Sequence, residues 1–479
     1  MAKILSENEV KAIREEPRFR GIRSIKERKI LSLSSAMHDE VMVCMEAALQ
    51  SGADCGNVHA LEEEMAGFSG VMHAVALRSG TEAVHTALIL AAERIYGSRI
   101  GNCGNSGIGN KKAGDRKTWN EGSNVGRCGL LSGRQVFCSD LASSATVNPV
   151  IYEGGEPVFI DASPEDWGMD PGALEIAFDR YPDVKIVVMA HIYGFPGQIG
   201  RVKEICEKHG ALLIEDACES LGAAVGGKKT GSFGDYGVLS FYNDDSMPDI
   251  EGGMLLINDA SEAEKARRWI LQSPAGSMHN LHGGTVCSDQ IGNIQAGIIR
   301  CQMRYLHEYI AKKKAIYERY QKKFAEDLML LNPVGERTEP SYQQPCMTVE
   351  SGIRFIERRS ERGYEYVSCH GTAAPMEVLE ALEAFGAEGK PVWKPMHMQP
   401  FYKDCDQISL DGSRKDYERS GHNSLLGRCN ESEEIFGKGI CLPAGIGMTV
   451  EEQDRVIDII FSCYSRRDMN REMWNADRI

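Results

Sequence analysis

Four short stretches hold the residue types that can do chemistry. SGTEA, at 79–83, sets small and hydroxyl side chains at what reads as a helix start. Such residues leave backbone N–H groups and a hydroxyl free at a positive helix end, which suits a phosphate. N-capping by Ser79 or Thr81 explains the same pattern equally well. IEDACES, at 214–220, ends an apolar run in carboxylates. Burying a carboxylate there is costly unless it meets a cation. Asp216 is therefore suited to a protonated ring nitrogen, with Glu215 and Glu219 to orient it; a helix cap is the alternative. MAHIYGFPG, at 189–197, puts His191 at a strand end, where an acid–base role and a purely structural one both fit. SFYNDDSMPDIEGG, at 240–253, has a hydroxyl at Ser240, four carboxylates and a closing glycine pair, but no lysine, histidine or cysteine. Ser240 can add a second hydroxyl to a phosphate, while no nitrogen or sulfur nucleophile is at hand.

Each stretch needs an element to hold it. HAVAL, RQVFCSD, PVFID, VKIVVMAHIYG, ALLIEDACESLGA, YGVLSFYN and GGMLLIND read as strands. MHDEVMVCMEAALQSG, HALEEEMAGFSG, SGTEAVHTALILAAERIYG, DPGALEIAFDRY and GRVKEICEKHG read as helices. This alternation predicts an α/β fold with a mainly parallel sheet and helices on both faces. Ligands of such sheets sit beyond the carboxyl ends of the strands, where the four stretches fall. Residues 1–28 read as an arm, 29–290 as the large domain and 291–479 as a smaller α+β domain. One long helix over 290–325 joins them, with Ile294, Ile298, Cys301 and Tyr305 on one face. The last helix opens on Thr449 and Glu452 in capping-box spacing. Residues 97–135 interrupt the pattern with ten glycines, seven Lys or Arg and only two acids, which reads as a flexible surface insertion or a basic lid.

Composition narrows the partners. A net charge of −15 over 479 residues argues against nucleic acid, which needs a basic face. No apolar run approaches the ~20 residues that span a bilayer, and the charged N-terminal stretch lacks a signal-peptide core. The expectation is a cytoplasmic protein without membrane or nucleic-acid partners. The fifteen cysteines form no C-x-x-C or C-x-C pair, so reduced thiols are expected rather than a metal site.

HAVALRSGTEAVHTALILA, NPVIYEGGEPVFIDASPEDWGMDP, HIYGFPG, IEDACESLGAAVGGKKTGSFGDYGVLSFYN, KPVWKPMHMQPFY and GICLPAGIGMTVEEQDRVI occur in this order. Together they resemble the DegT/StrS family of sugar aminotransferases, fold-type-I enzymes that use pyridoxal phosphate (PLP) to aminate nucleotide-linked keto-sugars. The resemblance spans residues 30–465 apart from the insertion. It implies a seven-stranded-type sheet and a homodimer acting on a nucleotide sugar. It further implies that Gly80, Thr81 and Ser240 hold the cofactor phosphate and that Asp216 pairs with the pyridine nitrogen. It places Glu219 near the ring oxygen, His191 under the ring, and Trp393, Lys394 and His397 at the sugar-nucleotide entrance.

The departures concern the reacting groups. The family's catalytic lysine falls at Asp245, and residues 241–253 hold no lysine; Lys228 and Lys229 lie in the preceding loop. A carboxylate cannot tether the cofactor covalently. Ser143 replaces a stacking aromatic ring. Ser288 and Gln290 replace an asparagine and an arginine ahead of the matching Asn293, and Lys390 replaces an arginine. Three readings follow: an aminotransferase with unusual site residues; a lysine-free enzyme using pyridoxamine phosphate (PMP), as in the hexulose 3-dehydratase branch, with Asp245 as base; or a pseudoenzyme scaffold.

Overall fold

The computed structural model describes residues 5–19, 22, 56–97, 129–241, 251–270, 290–324, 330–349, 355–360, 363–367, 373–415 and 430–476. Asp245, Ser288, the helix expected over 37–52 and positions 98–128 of the insertion lie outside them.

The seven expected strands are β1 (His73–Leu77), β2 (Gln135–Ser139), β3 (Glu156–Ile160), β4 (Ile186–Ala190), β5 (Leu212–Asp216), β6 (Tyr236–Ser240) and β7 (Gly253–Ile257). They stand in the order β1-β7-β6-β5-β4-β2-β3. β7 runs antiparallel between β1 and β6, and the other pairings are parallel. Two short strands, Gln407–Ser409 and Gly412–Ser413, extend the sheet to nine by adding beyond β3. They come from within the span read as the smaller domain, so the chain re-enters the large sheet after leaving it.

Alternate residues of each strand feed different cores. Val136 and Cys138 join one cluster and Phe137 another; Ile186 and Val188 part from Val187 and Met189 in the same way. Helix Gly80–Tyr96 supplies Val84, Ala87 and Leu88 to the first cluster, while helices Pro171–Arg180 and Ile199–His209 supply Leu174, Phe178 and Val202 to the second. With both faces covered, the strands carry continuous apolar runs.

The smaller domain centres on a four-stranded sheet in which β8 (Cys346–Thr348) lies between Leu330–Leu331 and β10 (Gly439–Cys441), and β10 also pairs with β9 (Lys390–Pro391). Helices Pro375–Ala384 and Val450–Ala476 pack on it, and Thr449 and Glu452 form the expected reciprocal cap. Helix Glu7–Glu15 joins this domain, and Leu5, Ile13 and Phe19 enter its core. The single helix expected over 290–325 is two, Asn293–Met303 and Leu306–Phe324. At the join, the amides of Arg304 and Tyr305 reach back three residues to Cys301 and Gln302, a tightened turn that ends the first helix. Cys301 departs from the expectation of free thiols, being disulfide-bonded. Among the described residues no helix is long and apolar enough to cross a membrane.

Candidate functional site

The carboxyl ends of β4, β5 and β6 and the loop after β1 open on one cavity of about 690 Å³, a size typical of small-molecule sites. Its far wall comes from the smaller domain through Gln343, Gln344, Lys390, Pro391, Trp393 and Cys441.

The first corner is the start of helix Gly80–Tyr96. Ser79 caps it, its hydroxyl accepting the Glu82 amide at 3.3 Å. Capping uses Ser79 and spares the next residues: Gly80 and Thr81 line the cavity, and their amides have no intrahelical acceptor. A Cβ on Gly80 would stand 2.8 Å from Cys218 Sγ and 2.9 Å from Ser240 Cβ. A Cβ on Gly253 would collide with the Ser79 carbonyl. These two glycines let the helix start press against the ends of β6 and β7, which sets Ser240 beside it.

Asp216 ends β5 at the next corner, buried. One oxygen accepts the Thr146 hydroxyl at 2.6 Å and the other the Cys218 amide at 3.1 Å. The second bond is the local turn that a capping reading anticipates; the first crosses from another helix. Thr146 has no sequence signal of its own. The Cys218 thiol is raised well above its ordinary range by burial and by the charge of Asp216.

His191 follows β4, and its amide donates to the Asp216 carbonyl. Glu215 accepts backbone amides from Gly231, Phe233 and Gly234, and its carboxylate also accepts from His191 Nε2 at 2.9 Å. That fixes Nε2 as the donor. Nδ1 is buried and finds no partner among the described residues. The structural and chemical readings of His191 therefore divide between its two ring nitrogens.

Glu219 lines the cavity with both oxygens engaged. One accepts the Tyr193 amide at 3.0 Å and the other the Trp393 indole N–H at 3.0 Å. The Tyr193 hydroxyl accepts the Trp393 amide at 2.6 Å, and Tyr193 itself takes a left-handed φ of 59°. Glu219 thus ties the large domain to the Trp393 wall. Tyr193 is a site residue that its sequence context did not single out.

Of the three expected entrance residues, only Trp393 lines the cavity. Lys394 carries its amine to 5.8 Å from the Phe436 ring. His397 is buried away from the cavity, with Nδ1 2.7 Å from Asp140 and Nε2 3.0 Å from Glu433. Burial alone would lower its pKa, but the two carboxylates outweigh this and raise it to about 9. His397 acts in the fold as a charged clamp between the large sheet and helix Glu431–Lys438.

Ser143 lines the cavity and caps helix Ser144–Tyr152 through the Ala145 amide. Gln290 bridges to Leu77, and Asn293 accepts the Asn57 amide. Lys229 donates to the Gly222 carbonyl at 2.6 Å, and Lys228 lies 4.5 Å from the Phe233 ring. Neither is among the lining residues; Lys390 is the lysine among the described ones that are.

The residues present fit a phosphorylated pyridine cofactor. Free helix amides beside Ser240 match a phosphate. A buried carboxylate at Asp216 matches a protonated ring nitrogen, and the unpartnered Nδ1 of His191 leaves one polar atom to satisfy.

The model of the DegT/DnrJ/EryC1/StrS aminotransferase family matches residues 37–95 and 124–461. EpsN of Bacillus subtilis (strain 168), whose name assigns it as a pyridoxal phosphate-dependent aminotransferase, is 29% identical over 427 residues, covering 88% of this chain and 90% of EpsN. GDP-perosamine synthase of Caulobacter vibrioides is 27% identical over 424 residues, covering 88% and 93%. The aminotransferase PseC of Helicobacter pylori shares the fold, with a TM-score of 0.66 at 17% identity over 89% of this chain and 97% of PseC. The seven-strand order, the cavity at the strand ends and the extent of the family match agree: this chain belongs to the DegT/DnrJ/EryC1/StrS aminotransferase family.

Proposed function

We propose that this chain holds a pyridine phosphate cofactor without a covalent lysine link, in its PMP form, and acts on a nucleotide-linked keto-sugar by lysine-free chemistry. The observation that carries this reading is the joint presence of Gly80, Thr81, Ser240 and Asp216 around one cavity whose described lining includes Lys390, on the opposite wall, as its lysine. When bound, the cofactor supplies an electron-withdrawing ring and, as PMP, its own amine. The residues of the chain do the rest. The amides of Gly80 and Thr81 with Ser240 bind the phosphate. Asp216, held by Thr146 and Cys218, keeps the ring nitrogen protonated. His191, whose Nδ1 has no partner among the described residues, would offer the bound cofactor a hydrogen-bonding atom in the cavity wall. Asp245 stands at the family's lysine position by sequence and serves as the base, a role that requires a pKa raised by burial or by neighbouring Asp244. Trp393 shapes the side where the sugar enters. A homodimer in the cytoplasm belongs to the same reading.

A pseudoenzyme is the second reading, favoured by Ser143, which serves as a helix cap where a stacking ring is expected, and by Glu219, whose oxygens are engaged by Tyr193 and Trp393. The test is titration of the purified chain with PLP and with PMP, followed by borohydride reduction and peptide mass mapping. Non-covalent binding of both, with no pyridoxyl-lysine and a new adduct at position 245 in Asp245→Lys, supports the proposal. A pyridoxyl-lysine from the unmodified cavity overturns it. Cofactor binding without turnover of any nucleotide keto-sugar selects the pseudoenzyme.

A further inference from the structure

We propose that Cys346 and Cys441 form a redox site in the cavity wall, a thiol pair that closes to a cross-strand disulfide on reaction with a low-molecular-weight disulfide. The two residues face each other on β8 and β10 in antiparallel register. The Leu442 amide donates to the Pro345 carbonyl, and the Val349 amide donates to the Lys438 carbonyl. Hydrogen-bonded pairs alternate along such a ladder, so Cys346–Cys441 is a non-hydrogen-bonded pair, the type with the closer side chains. Its Cα separation, about 4.5 Å for this type, lies inside the range a disulfide accepts without backbone movement. The two sulfurs are already 3.5 Å apart, and both cysteines are free.

Access is one-sided. Cys441 lines the cavity, whereas Cys346 is fully buried behind it. Burial, reinforced by Cys441, pushes the Cys346 thiol well up, so Cys346 reacts with a sulfur delivered to it rather than with free reagent. In the first step the Cys441 thiolate attacks the small disulfide; a mixed disulfide forms and one small thiolate leaves. In the second, the Cys346 thiolate attacks the Cys441 sulfur; the protein disulfide forms and the second small thiolate leaves. The chain loses two electrons and two protons, and the small disulfide is reduced to two thiols. The bridge also changes the site. Cys441 Sγ lies 3.8 Å from the Pro391 carbonyl and Cys346 Sγ lies 3.6 Å from the Gln344 carbonyl, and both S–H contacts are lost on oxidation. Lys390 is paired with Cys441 across β9 and β10, so the staple fixes the wall that carries it.

The test uses the full chain and needs neither cofactor nor substrate, so its outcome is separate from that of the proposed function. The chain is incubated with oxidised glutathione, alkylated without reductant, digested and mapped by mass. The expected product is one linked peptide pair containing Cys346 and Cys441, two hydrogens lighter than its parts and reversed by dithiothreitol. In Cys346→Ser the reaction stops with glutathione on Cys441. Recovery of both residues of the wild type as separately alkylated thiols, or wild type that stops with glutathione on Cys441, overturns the proposal. If Cys346→Ser does not fold, the wild-type map alone decides.

Discussion

Replacing His397 separates two roles that its sequence position leaves open. Its ring is clamped between Asp140 and Glu433, and Asp140 also accepts the His397 amide at 3.1 Å. The folded pKa of about 9 stands above the ordinary 6.5. A raised histidine pKa stabilises the fold fully below the unfolded value and loses that contribution as pH climbs through the folded one. At about 1.4 kcal/mol per unit, the contribution is about 3 kcal/mol. His397→Gln removes the charge and leaves two carboxylates facing each other, a loss of the same order as breaking a buried pair, about 3–5 kcal/mol. Urea unfolding of wild type and His397→Gln, followed by tryptophan fluorescence, measures the gap at each pH. The gap is expected to be widest below pH 6.5 and to shrink by about 3 kcal/mol once pH passes 9. A gap that is constant across this window refutes the charged clamp. A variant of unchanged stability that loses nucleotide-sugar affinity returns His397 to the entrance.

Three further changes probe separate joints. Gly80→Ala puts a methyl against Cys218 and Ser240 and should weaken PMP binding about tenfold, an overpacking cost of about 1–3 kcal/mol; unchanged affinity by isothermal titration removes the cradle. Glu219→Gln turns an amide donor toward either Tyr193 or Trp393 and should lower stability by about 1–2 kcal/mol in urea; no loss removes the cross-domain tie. Arg18→Met leaves Glu377 buried without the guanidinium that now meets it at 2.6 Å and should cost about 3 kcal/mol, seen as faster tryptic cleavage around helix Glu7–Glu15; equal rates refute the anchor.

The sheet was legible because its strands are apolar runs, and β4, β5 and β6 meet a polar residue where the cavity begins: His191, Asp216 and Ser240. The helix start was legible too, since Ser79 to Thr81 come just after β1 and Ser79 is a good cap. Thr146 was not, because its bond to Asp216 joins residues 70 apart with no local pattern. Tyr193 was not, because a left-handed φ is seldom met by a bulky aromatic side chain, and nothing in HIYG marks it. The clamp at His397 was not legible, because His397 shares a run with Trp393 and its partners Asp140 and Glu433 are remote. The short turn Met396–Met398 rotates it inward, toward carboxylates that are remote in sequence.

Holding and reacting are encoded in different kinds of chain. Gly80, Gly253, Thr146 and Asp216 sit in packed elements, where substitution disturbs the fold as well as the site. Asp245 falls in the connection between β6 and β7, whose ends are pinned by the pairing of Ser240 with Gly253. That pairing holds both ends of the connection against the start of helix Gly80–Tyr96, whatever side chains it carries. On the proposed reading, aspartate at the family's lysine position changes what the cavity does to a ligand, while the contacts of Gly80, Gly253, Thr146 and Asp216 come from other elements. Cofactor affinity and reaction class should therefore separate by mutation: Gly80→Ala lowers the first, and Asp245→Lys alters the second while non-covalent phosphate binding persists.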